Sequence, residues 1–308
     1  MKCLVTGGAG FIGSHLCENL LNDEHEVYCL DNLITGSLDN ISHLTNNSRF
    51  TFINHDCSKI LPELPKFDYI FHFASPASPP KYQQYALETL LVNTYGTYLL
   101  LEKIRREKGI FIFASTSEIY GDPEEHPQKE KYWGKVNPVG IRSCYDEAKR
   151  LGETLITVYK NKFGIDGRII RIFNTYGPRM SLDDGRIITN LIGQIKRNLP
   201  LTVYGNGSQT RSFCYISDLI IGIKLIAFDK KGKNQIFNLG NPEEISILET
   251  VNLMKKIINY QGEISYKELP EDDPAKRCPD ISKIQKILGW CPKITLSEGL
   301  KKTWDSFN

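Results

Sequence analysis

The chain of 308 residues is long enough to bury a large core in one or two domains. Its 41% hydrophobic and 24% charged residues are ordinary for a globular protein, and a net charge of +2 gives no reason to expect a nucleic-acid or membrane partner. No stretch reaches the ~18 consecutive apolar residues of a membrane span. The eight cysteines form no C-x-x-C pair, so we expect reduced thiols in a cytoplasmic protein.

A glycine-rich turn lies between a predicted strand, Lys2–Thr6, and a predicted helix that runs to about Asn22. Gly7, Gly10 and Gly13 give the pattern G-x-x-G-x-x-G. Glycines permit the tight turn, let backbone N–H groups approach a diphosphate and let the helix pack against the strand. The free N–H groups at the helix N-terminus favour the same anion. The pattern therefore predicts a dinucleotide-binding βα unit.

The acidic residue after the second predicted strand, Glu26–Leu30, indicates which dinucleotide is bound. Asp31 stands where a carboxylate can accept both ribose hydroxyls of adenosine and would repel a 2′-phosphate. This predicts NAD rather than NADP. The third predicted strand, Phe50–Asn54, is followed by Asp56 and Cys57, which we expect at the adenine edge.

A proline-rich loop, A-S-P-A-S-P-P, follows the fourth predicted strand, Phe67–Phe73. Open α/β sheets bind ligands at the carboxyl ends of their strands, so this loop is expected to contact a ligand through Ser75. The residues that we expect around the cofactor from these loops are Gly7, Gly10, Phe11, Ile12, Asp31, Asn32, Thr35, Gly36, Asp56, Cys57 and Ser75.

The predicted helical stretch Tyr85–Arg106 carries more apolar side chains than one face of a sheet needs. It is either deeply buried or part of a helical interface between two copies of the chain. We favour a homodimer formed through this stretch and the helix Tyr145–Phe163.

Tyr145 and Lys149 lie four residues apart in R-S-C-Y-D-E-A-K-R, which places them on one face of a helix. An ammonium group beside a phenol should lower the pKa of the phenol, so that the tyrosine can act as a base in the oxidation of an alcohol. Such a pair also arises by chance in a chain with 15 tyrosines. Taken alone, the spacing therefore favours an ordinary helix with a half-exposed tyrosine and a solvated lysine over a catalytic pair.

Thr116 favours the catalytic interpretation of Tyr145 and Lys149, because it follows the predicted strand Gly109–Ala114 and precedes Tyr145 by 29 residues. A hydroxyl residue at a strand end, followed by a helix with Tyr and Lys, resembles the short-chain dehydrogenase/reductases. The resemblance implies that Thr116 binds the substrate alcohol, that Tyr145 is the base, and that Lys149 binds the nicotinamide ribose. Glu118, two residues after Thr116, is either a surface charge or an acid or base beside the same substrate.

Strands and helices alternate as far as Pro178, and the alternation then breaks down. This predicts an α/β fold: a Rossmann-like doubly wound parallel sheet with a smaller C-terminal α/β substrate domain. We assign residues 1–178 and about 213–241 to the NAD-binding domain, and about 179–212 and 242–308 to the smaller domain, which would bind the substrate. Arg179, Arg186, Arg211 and Arg277 serve either solubility or the binding of an anionic substrate.

Taken together, these motifs resemble the extended branch of the family that acts on nucleotide sugars, and most closely the UDP-glucuronate decarboxylases (UDP-xylose synthases). The segments that carry the resemblance cover nearly the whole chain: G-G-A-G-F-I-G-S-H-L, H-F-A-S-P-A-S-P-P, A-S-T-S-E-I-Y-G-D-P, Y-W-G-K-V-N-P-V-G, R-S-C-Y-D-E-A-K-R, R-I-F-N-T-Y-G-P-R-M, G-S-Q-T-R-S-F, N-L-G-N-P-E-E, D-D-P, R-C-P-D-I and L-G-W.

The resemblance implies a redox-neutral decarboxylation of a UDP-sugar with a retained NAD. It implies that Glu118 and Arg277, with Ser117 beside them, act at the substrate carboxylate. For the other residues it implies diphosphate contacts by Asn174 and Arg211, a uracil-binding segment with Thr202 and Tyr204, and positions near the cofactor for Tyr145, Lys149, Thr175 and Arg186.

Three alternatives to this function remain at the level of sequence. Related sugar 4,6-dehydratases carry Thr-Asp-Glu where this chain has Thr116, Ser117 and Glu118, and related 4-epimerases do not usually carry the glutamate. A dinucleotide-binding scaffold without activity would not need Tyr145.

Leu91 stands where many relatives have a lysine that reaches toward the substrate, which leaves part of the substrate contact open. His126 has no partner ligands at metal spacing, so no metal site is expected.

Overall fold

A parallel sheet of seven strands is the centre of the computed structural model, which describes residues 1–269 and 276–308. Across this sheet the order is β11-β6-β5-β4-β1-β2-β3. The strands of the described residues are β1 (Lys2–Thr6), β2 (Glu26–Asp31), β3 (Phe50–Asn54), β4 (Tyr69–His72), β5 (Ile110–Thr116), β6 (Asp166–Ile172), β7 (Thr175–Tyr176), β8 (Leu201–Tyr204), β9 (Thr210–Ser212), β10 (Cys214–Tyr215), β11 (Ile236–Leu239), β12 (Glu244–Ser246), β13 (Ile264–Lys267) and β14 (Lys276–Arg277).

Helices cover both faces of this sheet, which is why its strands are apolar on both sides. In β1, Leu4 packs into one core cluster and Val5 into the other. The helices of the described residues are α1 (Phe11–Asn22), α2 (Pro79–Gln84), α3 (Ala86–Leu91), α4 (Thr97–Glu107), α5 (Ser143–Phe163), α6 (Ile187–Lys196), α7 (Ile216–Phe228), α8 (Ile247–Ile258), α9 (Ser282–Leu288) and α10 (Leu296–Asp305). The predicted Rossmann-like doubly wound sheet is confirmed.

Parallel pairing brings the carboxyl ends of the strands to one edge of the sheet. Thr6 at the end of β1 is level with His72 of β4, and Thr116 at the end of β5 is level with Ile172 of β6. The loops after these strands therefore open on one side of the molecule, where doubly wound sheets bind their ligands.

Three small sheets in the described residues are separate from the central sheet. One has the order β12-β9-β14, another pairs β13 with β8, and the third pairs β10 with β7. Between β10 and β12 in sequence, the chain returns to the central sheet, where Ile236–Leu239 pairs in parallel with β6. The division of the chain into two domains at the predicted boundaries stays a prediction.

The predicted helix Tyr85–Arg106 is helical without a break from Ala86 to Glu107, but its winding changes midway. A wide helical turn at Val92–Gly96 separates α3 from α4. Inside this turn Asn93 is buried, and its side-chain amide donates to Ser75 Oγ at 2.8 Å and to Thr89 O at 2.8 Å. The sequence showed only the apolar pattern and not this polar insertion. No helix in the described residues is long and apolar enough to cross a membrane.

We predict that Gly13→Ala lowers the free energy of unfolding by about 1–3 kcal/mol, the usual cost of overpacking. A Cβ atom at Gly13 would lie 2.0 Å from Gly7 O, so α1 would have to move off the glycine-rich turn. Denaturant unfolding measures the change. Gly193→Ala in α6 is the matched control, because its Cβ atom would meet nothing closer than 3.5 Å. Equal stability of the two variants would contradict the prediction.

Candidate active site

One cleft of about 1270 Å³ runs along the carboxyl edge of the central sheet. It is larger than the roughly 300–1000 Å³ of a typical small-molecule site and has room for two ligands. Every residue predicted from sequence to bind cofactor or substrate, or to act in catalysis, lines it. The motif Asp272-Asp273-Pro274 lies outside the described residues.

The glycine-rich turn forms one end of the cleft in close contact with the neighbouring strand loop. A Cβ atom at Gly7, where φ is +72°, would lie 2.7 Å from the backbone of Ala74. Only glycine fits there without strain. The backbone is thus exposed for close approach by a diphosphate at the start of α1, as the fit to a dinucleotide requires.

Asp31 is held at the end of β2 with its carboxylate facing the same turn. The carboxylate accepts hydrogen bonds from Ala9 N at 3.0 Å and Leu33 N at 2.8 Å. Burial raises the pKa of Asp31, and these backbone donors oppose the shift. A Cβ atom at Gly36 would lie 3.1 Å from both carboxylate oxygens, so glycine leaves room beside them. This arrangement fits the ribose of adenosine.

Tyr145 and Lys149 project from α5 toward the end of β5, and both are buried. The Lys149 ammonium donates to Ala114 O at 2.6 Å and lies 5.8 Å from the centroid of the Tyr145 ring. The Tyr145 ring stacks on Tyr82 at a centroid distance of 5.0 Å. The three residues Thr116, Tyr145 and Lys149 thus meet at one place in the cleft.

The pKa of Tyr145 differs from the sequence expectation. Burial raises it to about 12, although a hydrogen bond with Thr116 lowers it. Burial also lowers the pKa of Lys149 to about 7. The expectation of a lowered tyrosine pKa is therefore wrong, because it considered charge and not the loss of solvent from both groups.

Glu118 lies between two arginines on the other side of Thr116. It forms ion pairs with Arg142 and with Arg277, the latter at 3.3 Å between Nη2 and Oε2. Burial alone would raise the pKa of Glu118, but the charges of Arg277, Arg142 and Arg211 hold it well below its usual range. Glu118 is therefore an anion in a basic pocket rather than a solvated surface charge.

Arg277 is buried, and the three-stranded sheet β12-β9-β14 fixes its position. β14 pairs with β9, so that Arg277 is level with Arg211. Its guanidinium donates to Ser117 O at 3.0 Å. β14 thereby meets the short turn after Thr116, 160 residues earlier in the chain, at the Glu118 carboxylate.

The substrate end of the cleft contains the remaining predicted residues. Thr202 exchanges two hydrogen bonds with the side chain of Gln194, each 3.0 Å long. Arg186 forms an ion pair with Asp184 at 2.7 Å at the start of α6. Asn174, Thr175 and Tyr204 also line this part of the cleft.

The sequence predictions missed Tyr82, Arg142 and Asp146. Asp146 is buried, lies 3.8 Å from Arg142, and has one carboxylate oxygen without a hydrogen-bond partner. The i, i+4 spacing of Arg142 and Asp146 in the Tyr145 segment was the available signal. The three-dimensional structure is needed to show that Arg142 and Asp146 both lie near Glu118.

Comparison with known proteins agrees with this geometry. The sequence profile of the GDP-mannose 4,6 dehydratase family matches residues 4–303. The chain belongs to this family. It is 49% identical to UDP-glucuronic acid decarboxylase 1 of Arabidopsis thaliana, covering all of this chain and 70% of the relative, and 48% identical to UDP-glucuronic acid decarboxylase 1 of Xenopus tropicalis, covering 98% and 71%. The resemblance to the decarboxylases is confirmed.

Solved structures of two UDP-sugar 4-epimerases superpose on nearly the whole chain. UDP-glucuronic acid 4-epimerase of Bacillus cereus, in complex with UDP-glucuronic acid and NAD, has a TM-score of 0.89 at 34% identity over 99% of this chain and 98% of its own. UDP-glucose 4-epimerase of Thermotoga maritima, with UDP-glucose, has a TM-score of 0.91 at 29% identity over 100% and 98%. These likenesses extend over the whole fold, including the strands and loops that form the cleft of this chain.

We predict that Asp146→Asn gains thermal stability over the wild type as the pH rises from about 5 to 9. Burial and the Glu118 charge raise the pKa of Asp146 to about 8, against ~3.9 in the unfolded chain. The wild type therefore loses up to ~1.4 kcal/mol per pH unit in this window, whereas asparagine does not titrate.

Thermal unfolding at several pH values measures this difference. Asp183→Asn, at a side chain that is 76% exposed, is the matched control. If the difference in melting temperature between Asp146→Asn and the wild type did not change with pH, the Asp146 carboxyl group would not be protonated in the folded chain.

Proposed function

We propose that this protein is an NAD-dependent carboxy-lyase that converts UDP-glucuronate to UDP-xylose through a UDP-4-keto intermediate. The observation that carries the proposal is the meeting of Arg277 and Glu118 beside Thr116 and Tyr145 in one cleft. An alcohol-oxidising pair thus adjoins a basic pocket that can take a carboxylate. The names of the relatives support the same substrate and reaction.

NAD is the proposed cofactor, held by the glycine-rich turn and Asp31. The exposed backbone at Gly7 allows the diphosphate to approach, and the Asp31 carboxylate can accept hydrogen bonds from the adenosine ribose. Held there by the glycine-rich turn and Asp31, NAD would supply reversible hydride chemistry at C4 of the sugar. The NAD in the complex of the 34% identical Bacillus cereus epimerase supports this assignment.

Tyr145 is the proposed base for the C4 hydroxyl group. The Thr116 hydroxyl, which is hydrogen-bonded to Tyr145, orients the sugar oxygen that loses its proton. Burial raises the pKa of Tyr145 to about 12, so its phenol must lose a proton to solvent before it can accept one from the C4 hydroxyl group. The Lys149 ammonium, 5.8 Å from the centroid of the Tyr145 ring, is assigned to stabilise the phenolate, and the proton that Tyr145 takes returns to the C4 oxygen when the ketone is reduced.

Loss of carbon dioxide follows because the C4 ketone makes the sugar a β-keto acid. The C5–C6 bond breaks, its electron pair forms an enolate, and the C4 oxygen carries the charge. Thr116 and Tyr145 can donate hydrogen bonds to this oxygen. Arg277 and Glu118, beside Ser117, orient the C6 carboxylate before it leaves. A proton from solvent then adds at C5, and the C4 ketone would regain its hydride from the reduced cofactor and a proton from Tyr145.

The rest of the cleft is proposed to hold UDP. Arg211 and Asn174 are assigned to the diphosphate, since a guanidinium group and an amide can donate to phosphate oxygens. Thr202 and Tyr204 on β8 are assigned to the uracil end, and Thr175 and Arg186 to positions near the cofactor. All six line the cleft.

4-Epimerisation of UDP-glucuronate is the second candidate, favoured by the likeness to the Bacillus cereus epimerase. It would use the same oxidation by Tyr145 but would keep the C6 carboxylate. Identity of 49% to a decarboxylase, against 34% to this epimerase, favours loss of the carboxylate. Ser117 in place of an acid argues against a 4,6-dehydratase.

The apolar surface of α3, α4 and α5 supports a homodimer. Exposed large apolar residues on these adjacent helices and the turn between α3 and α4 are Leu87, Leu90, Tyr95, Tyr98, Leu151, Val158 and Phe163. A patch of this kind marks an interface, and a second copy would present the same face. We also propose a cytoplasmic location, supported by eight free cysteines.

We predict that Arg277→Ala still oxidises C4 but slows release of carbon dioxide roughly 10²–10³-fold, as for the loss of one well-placed donor. NADH absorbance in a single turnover reports the oxidation, and labelled carbon dioxide reports the decarboxylation. Tyr145→Phe is the control and should lose both signals. Arg277→Lys, which keeps the charge, guards against a folding defect. Equal loss of both steps in Arg277→Ala would mean that Arg277 only binds substrate.

We predict that the double substitution Leu90→Lys and Leu151→Lys converts the dimer to a monomer in sedimentation experiments. Both side chains are exposed in the single chain, at 40% and 46%, so the fold should tolerate the change, whereas like charges would face each other across the interface. Ile221→Lys on α7, 50% exposed, is the matched control. A wild-type monomer, or a double variant that remains dimeric, would rule out this interface.

A further inference from the structure

Three potential metal ligands from distant parts of the chain meet outside the cleft. They are His126 in the loop after β5, Glu244 at the start of β12, and Cys278 directly after β14. None of the three lines the cleft described above. The sequence offered no metal-ligand spacing around His126, because its two partners follow 118 and 152 residues later.

The small sheet brings two of these ligands together. β9 lies between β12 and β14, so Glu244 and Cys278 are held at neighbouring positions on its two sides. The loop that carries His126 is attached to the same place through Gln128, which accepts from Cys278 N at 2.9 Å through its side chain and donates its own N–H to Cys278 O at 2.9 Å.

The ligand atoms already lie close to a coordinating geometry. His126 Nε2 is 2.9 Å from Glu244 Oε2, and Cys278 Sγ lies within 4.8 Å of both. Zinc binds nitrogen and oxygen at ~2.0–2.2 Å and sulfur at ~2.3 Å in a tetrahedron, so its ligand atoms lie roughly 3.3–3.8 Å apart. Movements of about 1 Å by the side chains would give this arrangement.

We propose that His126, Glu244 and Cys278 form a site for one divalent metal ion of the zinc class. The three ligands supply nitrogen, oxygen and sulfur, and water completes the tetrahedron. Binding replaces the proton of the Cys278 thiol, which passes to solvent. Glu244 is oriented by the Thr210 hydroxyl, which donates to its second oxygen and is the kind of outer hydrogen bond that fixes a metal ligand.

The expected role of the ion is structural. Cys278 follows Arg277 directly, and Thr210 lies on the strand that pairs with β14. An ion at this site would tie the loop at His126 to the sheet that positions Arg277. It would therefore stabilise the substrate end of the cleft without contacting the reacting atoms.

Cobalt(II), a spectroscopic substitute for zinc, tests the site in the full-length protein after treatment with a chelator. We expect one equivalent of Co²⁺ to bind with a thiolate-to-cobalt absorption band in the near ultraviolet. Zn²⁺ should abolish that band and raise the melting temperature. Cys278→Ser should lose the band, and His126→Asn and Glu244→Gln should weaken binding at least about tenfold.

Cys291→Ser is the matched control, because Cys291 is an exposed thiol outside the cluster, and it should keep the band and the stoichiometry. Absence of the band in the wild type, or its persistence in Cys278→Ser, would show that His126 and Glu244 form only a hydrogen-bonded pair beside a thiol. Either result would leave the proposed decarboxylation untouched, since that reaction is assayed separately.

Discussion

The partly buried ion pairs of Glu118 with Arg277 and Arg142 are the constraint on which the rest of the site depends. A carboxylate that is largely removed from water needs partners, and the loss of Glu118 would leave the buried Arg277 guanidinium without its counter-charge. Glu118 is fixed to the end of β5, Arg142 to the start of α5, and Arg277 to the small sheet. The ion pairs therefore place the carboxylate-binding pocket against the face that Tyr145 presents.

Local features of this arrangement were predictable from sequence. The glycine-rich turn, Asp31 at the end of β2 and Thr116 at the end of β5 follow from a strand, a turn and a helix in a fixed order, and parallel pairing then brings the strand ends together. Tyr145 and Lys149 share a face because helical spacing requires it. The resemblance to a known family added Glu118 and Arg277, which no local pattern connects.

Properties that depend on burial or on distant contacts were not predictable. The pKa of Tyr145 rises because solvent is lost around it, and the sequence does not show that loss. The pKa of Asp146 is raised by burial and by the charge of Glu118, which comes from another part of the fold. The approach of His126 to Cys278 depends on the order of strands in the sheet β12-β9-β14. The wide turn at Val92–Gly96 contains a buried asparagine with its own hydrogen bonds, which the apolar pattern does not indicate.

The fate of hydrogen in the product tests the central claim most directly, namely that one retained NAD oxidises and reduces C4 around the loss of carbon dioxide. The reaction of UDP-glucuronate in D₂O is followed by NMR of the product. The account predicts a UDP-pentose with deuterium from solvent at C5 and the original hydrogen at C4. A UDP-hexuronate with an inverted C4, or deuterium at C4 of the pentose, would contradict it.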